Sequence, residues 1–135
     1  MLIESLAGLE KGTLTPRAQD ESQATLAPIL TREAGRMELT QRTAQQVYDR
    51  WRGFSPWPGA HGIFRGKRFL VHAMKPAEIA DLEPGELALR DGALLVGAAH
   101  GTALMLDEVQ MEAKPRMAGA AFARDFQVKP GERIE

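Results

Sequence analysis

The chain has 135 residues, no cysteine, 44% hydrophobic and 26% charged residues, and a formal net charge of −1. Such a chain can bury roughly two thirds of its unfolded surface in a single core, so it needs neither disulfides nor a structural metal. Without Cys, thiol catalysis, Cys-based zinc sites and disulfide frameworks are excluded. No apolar run approaches the ~20 residues of a membrane span, and the N-terminus lacks the pattern of a secretory signal, so a cytoplasmic location is expected.

The near-neutral total hides an asymmetry. Residues 42–76 hold seven basic and one acidic side chain, whereas residues 77–112 hold one basic and eight acidic. The contrast fits either a basic face that attracts a polyanion or a barrel surface solvated by charges of both signs.

In chain order, Leu2, Ile3, Leu6 and Leu9 recur at helical spacing, and Lys11-Gly12 is a helix stop. Residues 13–23 are polar and contain Pro16, and Pro28 bars a helix through residues 24–30. Together they read as an extended linker that hugs a surface. Thr40 is the expected cap of a helix carrying Ala44, Val47, Tyr48 and Trp51 on one face, with Gly53 as its left-handed stop. Residues 54–60 contain Pro56-Trp57-Pro58 and form a stiff loop, which should pack its Trp.

From His61 the period changes to two. Residues 61–64 and 68–75 read as a hairpin around Arg65-Gly66-Lys67, with Phe69, Val71 and Ala73 on one side. Residues 83–86 are a turn, followed by strands at 87–90, 93–99 and 102–110 joined by Asp91-Gly92 and His100-Gly101. Residues 118–124 are one or two helical turns, and Pro130-Gly131 opens an irregular end. The expected fold is mainly β: a small OB-like Greek-key barrel with a preceding α-helix, plus an N-terminal helix and an extended linker.

Few enzyme signatures survive inspection. His61, His72 and His100 form no i, i+4 pair, so no metal site is expected, and the nucleophile-elbow, phosphate-loop and dinucleotide fingerprints are missing. Asp107, Glu108 and Glu112 lie on or just after a strand and read as solvated carboxylates. The more specific pattern is basic residues interleaved with aromatics between Arg50 and Phe69. Arginine forks can hold phosphates and a barrel face can guide a nucleic-acid backbone, while Trp51, Phe54 and Trp57 read as core rather than as stacking platforms.

The strings Ala24-Thr25-Leu26-Ala27-Pro28-Ile29-Leu30-Thr31-Arg32-Glu33-Ala34-Gly35-Arg36, Arg52-Gly53-Phe54-Ser55-Pro56-Trp57-Pro58-Gly59-Ala60 and Gly66-Lys67-Arg68 resemble the linker and C-terminal domain of bacterial methionyl-tRNA formyltransferases. The Asp91-Gly92 turn, residues 114–117 and Pro130-Gly131 keep that family's order. The sequence departs from the pattern at Ser55, where the family usually has Asn, at His100-Gly101 and at Pro115.

The resemblance implies a two-domain enzyme. A Rossmann-like N-terminal domain transfers formyl from 10-formyltetrahydrofolate to initiator methionyl-tRNA, and the C-terminal barrel helps hold the tRNA. The family's catalytic Asn cannot lie in this chain, which contains no Asn at all. The Leu6 to Gly12 helix end and Gln19-Asp20-Glu21 resemble the closing helix and tail of that family's catalytic domain, so the resemblance implies that residues 1–22 are that terminal helix and tail, 23–39 a linker and 40–135 the barrel. The chain alone is expected to be inactive, to have no catalytic residue and to bind no cofactor of its own. Its expected partners are initiator methionyl-tRNA and the catalytic domain, with no membrane.

The expected phosphate contacts are Arg52, Arg65, Lys67, Arg68, Lys75, Lys114 and Arg116, with a brace of the Pro-Trp-Pro loop as the alternative role of Arg52. Beside this reading, and beside a pure domain-packing role in which the chain ignores tRNA, stand two alternatives. One is the barrel of another formyltransferase, acting on an amino-sugar nucleotide or a folate. The other is a stand-alone module for single-stranded nucleic acid, which requires Trp51, Phe64 and Phe69 to be exposed.

Overall fold

Two-residue turns organise the sheet. Arg65 and Gly66 take φ of 49° and 71°, joining β1 (Ala60–Phe64) to β2 (Lys67–Ala77) so that Phe64 pairs with Lys67. Lys67 therefore already belongs to the strand. Asp91 and Gly92, at 50° and 76°, likewise join β3 (Leu87–Arg90) to β4 (Ala93–Ala98). Both turns have the left-handed backbone that matches the twist of the strands they connect. A short turn with His100 at φ 57° leads into β5 (Thr102–Met111), and β6 (Met117–Ala118) pairs with β5. Ala99 falls in that turn rather than in β4.

The computed structural model describes residues 2–15, 17–79 and 81–135, so Pro16 of the expected linker lies outside the described residues. The sheet is antiparallel in the order β1-β2-β5-β4-β3. The β2–β3 connection carries the chain to the far edge, which is the Greek-key step. It passes close over β4 at Gly97: Gly85 N–H donates to Gly97 O at 2.8 Å, and a side chain at Gly97 would strike the carbonyl of Glu83.

The C-terminal tail closes the gap between the edge strands. Ile63 and Glu135 exchange backbone hydrogen bonds of 2.8 and 2.9 Å, while Leu87 N–H donates to Glu132 O and Ile134 N–H to Gly85 O, each at 2.8 Å. Pairing both edges protects backbone groups that would otherwise invite another strand. The end that looks irregular in sequence is therefore the barrel's seam.

Phe64, Phe69 and Phe122 are at most 1% exposed, with ring centroids 5.0 to 6.3 Å apart. Phe122 comes from α3 (Gly119–Asp125). The inward face of β2 runs Phe69, Val71 and then Met74, not Ala73, because register shifts around His72 and Ala73 insert a β-bulge. Alternation read from sequence assumes an unbroken register and misses that change.

Helix α2 (Ala44–Gly53) is capped by Thr43, three residues after the expected Thr40. Thr43 and Gln46 form a reciprocal capping box. The Thr102 hydroxyl, accepting from Ala44 N–H at 2.8 Å, ties the helix start to β5. Gly53 is the last helical residue and Phe54 caps the helix at φ −100°, so no left-handed stop is needed.

Near the N-terminus, α1 (Leu2–Glu10) is followed by Gly12 at φ 64°, the stop its sequence predicts, yet it has no buried residue. Leu26 and Ile29 are 97% and 91% exposed, so this part of the linker does not hug the barrel. Packing begins later: Gly35 is buried, and Met37 and Leu39 belong to the core.

Candidate nucleic-acid interface

Four elements meet on the outer side of β2. The 55–59 loop, Trp51 from α2, residues 70–72 of β2 and Arg116 before β6 line a cleft of about 200 Å³. The loop is pinned at its base, where Gly59 N–H donates to Phe54 O at 2.9 Å, and its two X-Pro bonds are cis. Trp57 does not pack inward as its prolines suggested; it is 57% exposed while Pro58 is buried. The prolines stiffen the loop without directing its side chains, and Pro58 takes the inward place.

Within this cleft His72 is held by a short relay. His72 Nε2 lies 2.9 Å from Gln110 Oε1, and Gln110 Nε2 donates to Lys114 O at 2.8 Å. The relay anchors the 112–116 loop, and with it Arg116, to the outer face of β2. Sequence reasoning treated His72 only as a non-ligand and passed over Gln110. Their register, in which Leu70 pairs with Gln110 across β2 and β5, emerges only in the folded sheet.

The predicted cations have unequal circumstances. Arg116 and Lys114 are exposed, and the Arg116 guanidinium has no hydrogen-bond or ion-pair partner among the described residues. Arg52 is 64% exposed, reaches Asp49 at 3.7 Å and lies over the Tyr48 ring. The bracing role weighed for Arg52 is filled by Arg50, which donates to Ala34 O at 2.7 Å and lies over Phe54. Lys67 is exposed beside the hairpin turn. Lys75 pairs with Asp107 at 3.9 Å, seven residues from Arg68 and hence about 23 Å along the strand.

Arg65 points elsewhere. Its Nε and Nη2 donate to the two Glu132 carboxylate oxygens at 2.8 and 2.7 Å, and Nη1 donates to Phe126 O at 3.0 Å. This fork fastens the C-terminal tail to the β1–β2 turn, and a phosphate would have to displace it. Glu132 answers with a carboxyl held down to about 2, chiefly by Arg65 and then by the Lys129 backbone N–H.

Arg68 is half-buried, and its Nε is enclosed without a partner. Nearby His61 is 7% exposed with an unpartnered Nδ1, and burial, followed by the Arg68 charge, lowers its pKa. His61 is therefore a neutral residue under the linker: a side chain at Gly35 would press 3.2 Å from His61 Nδ1. Among the described residues no group of three metal-ligating side chains occurs, and no helix is long and apolar enough to cross a membrane. Burial of Phe64 and Phe69 removes two of the three platforms that a stand-alone single-strand binder requires.

Comparison with known proteins agrees with this architecture. Residues 29–127 match the formyl transferase C-terminal domain. The chain belongs to that family. Methionyl-tRNA formyltransferase of Acidobacterium capsulatum is 47% identical over 135 residues, covering 99% of this chain and 43% of the relative. The enzyme of the same name from Koribacter versatilis is 44% identical over 134 residues, covering 99% and 42%. This formyl transferase C-terminal domain chain thus spans about two fifths of those relatives. Among solved structures, a substituted variant of HypX from Aquifex aeolicus aligns with a TM-score of 0.62 at 26% identity, over 97% of this chain and 23% of HypX.

Proposed function

We propose that this chain is the tRNA-holding C-terminal portion of a methionyl-tRNA formyltransferase working in translation initiation in the cytoplasm. The formyl group would pass from 10-formyltetrahydrofolate to initiator methionyl-tRNA in a separate N-terminal catalytic domain, which also binds the donor. The observation that carries this reading is the match, across nearly the whole chain, to relatives of that name, most of whose length lies outside the match.

The outer side of β2 supports the binding role. Arg116 lines the cleft there and Arg68 alternates with the buried Phe69, while Arg52, Lys67 and Lys114 are exposed on neighbouring segments, Lys75 lies at the far end of the strand and Arg65 is engaged with Glu132. Such contacts position a phosphate backbone without reading bases.

Filter binding of the 135-residue chain to initiator tRNA at two salt concentrations tests the reading. Log affinity should fall linearly with log salt, and Lys67→Ala should lower the slope by about one unit or less. Salt-independent binding would reject the phosphate contacts. Formylation by this chain alone, given donor and methionyl-tRNA, would reject the division of labour.

A further inference from the structure

We propose that the cleft between the 55–59 loop and β2 is a subsite for one ribose-phosphate unit of the bound RNA, with His72 Nδ1 accepting from a 2′-hydroxyl and Arg116 holding the adjoining phosphate. The inference deepens the tRNA-binding reading and rests on it.

The relay fixes the chemistry of the His72 ring. Gln110 Nε2 donates to Lys114 O at 2.8 Å, so its Oε1 is the atom facing His72 and must accept from Nε2–H at 2.9 Å. In the neutral ring that leaves Nδ1 as an acceptor, with no protein partner among the described residues. His72 lines the cleft, so an acceptor on its ring without a protein partner calls for a ligand donor. Arg116 lines the same cleft and offers free guanidinium donors, which call for an anion.

A ribonucleotide presents both groups in neighbouring positions, and a deoxyribonucleotide lacks the first. The cleft has the loop as one wall and Trp51 as another, and no carboxylate lines it to repel a phosphate.

The experiment compares initiator tRNA with a DNA of the same sequence as ligands of the wild-type chain and of His72→Phe, Gln110→Leu and Arg116→Ala. Phe keeps a flat aromatic ring, somewhat larger than imidazole, but carries neither nitrogen. His72→Phe should weaken tRNA binding by about fivefold and leave DNA binding unchanged, as expected for loss of one hydrogen bond. Gln110 acts as a positioning residue, so Gln110→Leu should also narrow the RNA-to-DNA ratio, by releasing the tautomer. Arg116→Ala should weaken both ligands alike. Unchanged melting midpoints would separate these effects from misfolding.

If His72→Phe leaves the ratio at its wild-type value while the wild-type chain binds tRNA, the subsite is wrong and the tRNA-binding role stands. If the wild-type chain binds neither ligand, both readings fall.

Discussion

Leu94, Leu104 and Leu106 in the sheet are at most 1% exposed, whereas Leu6, Leu9 and Leu26 near the N-terminus are 57%, 63% and 97% exposed. The residue type is the same and the surroundings differ. In the barrel each leucine has a partner surface supplied by strands distant in sequence. In α1 no residue is buried, and the nearest support for its Gly8 is the local Leu14 folding back over it. Helical spacing and a glycine stop are enough to define where a helix begins and ends, but they cannot supply what it packs against. A nine-residue helix without tertiary packing is marginal in water. The stability of this chain therefore belongs to the barrel, from Gly35 onward.

The sharpest way to break that contrast is to hollow the barrel's centre. Phe122 touches Phe64, Phe69 and Phe126 at centroid distances of 5.6, 5.0 and 4.6 Å and is fully buried. Phe122→Ala should cost about 3–5 kcal/mol, a large share of what a domain this size has. Urea unfolding should show the midpoint falling with an unchanged slope. A loss under about 1 kcal/mol would mean that α3 is an ornament on the sheet and not a part of its core.

The hairpins were legible because Arg65-Gly66 and Asp91-Gly92 are local signals, read correctly within a residue. The bulge at His72–Ala73 was not legible, since a bulge depends on how β2 meets β5, where His72 bonds to Gln110 at a sequence separation of 38. The tail escaped for a similar reason: residues 132–135 have no strand-like alternation, and only the two open edges of a Greek key give them something to bridge. The site divided along the same line. The excess of positive charge in residues 42–76 is legible in the sequence, while the partners that engage Arg65 and fix His72 are set by contacts 67 and 38 residues away.

An intermediate effect should come from the tail's fork. Glu132 has its pKa lowered from 4.5 to about 2, so its ion pair stabilises the fold fully above about pH 4.5, and that contribution is lost as the pH falls toward 2. Between pH 6 and pH 3 the wild-type melting midpoint should drop more steeply than that of Glu132→Gln, which retains hydrogen bonding without the charge. Parallel curves for the two proteins would show that the fork does not hold the seam.

The smallest expected effect tests the other half of the contrast. Deleting residues 2–30 removes α1 and the exposed stretch through Ile29 and, among the described residues, no core side chain, so the unfolding free energy should change by no more than about 0.5 kcal/mol. Amide exchange on the intact chain gives the same test without a deletion: α1 should exchange near the unfolded rate, while Leu104 and Val109, both 0% exposed, should open only with the whole domain. Strong protection in α1 would mean that its leucines find a surface within this chain or on a second copy. Repeating the measurement at tenfold dilution separates those two, because only a contact between copies weakens with concentration.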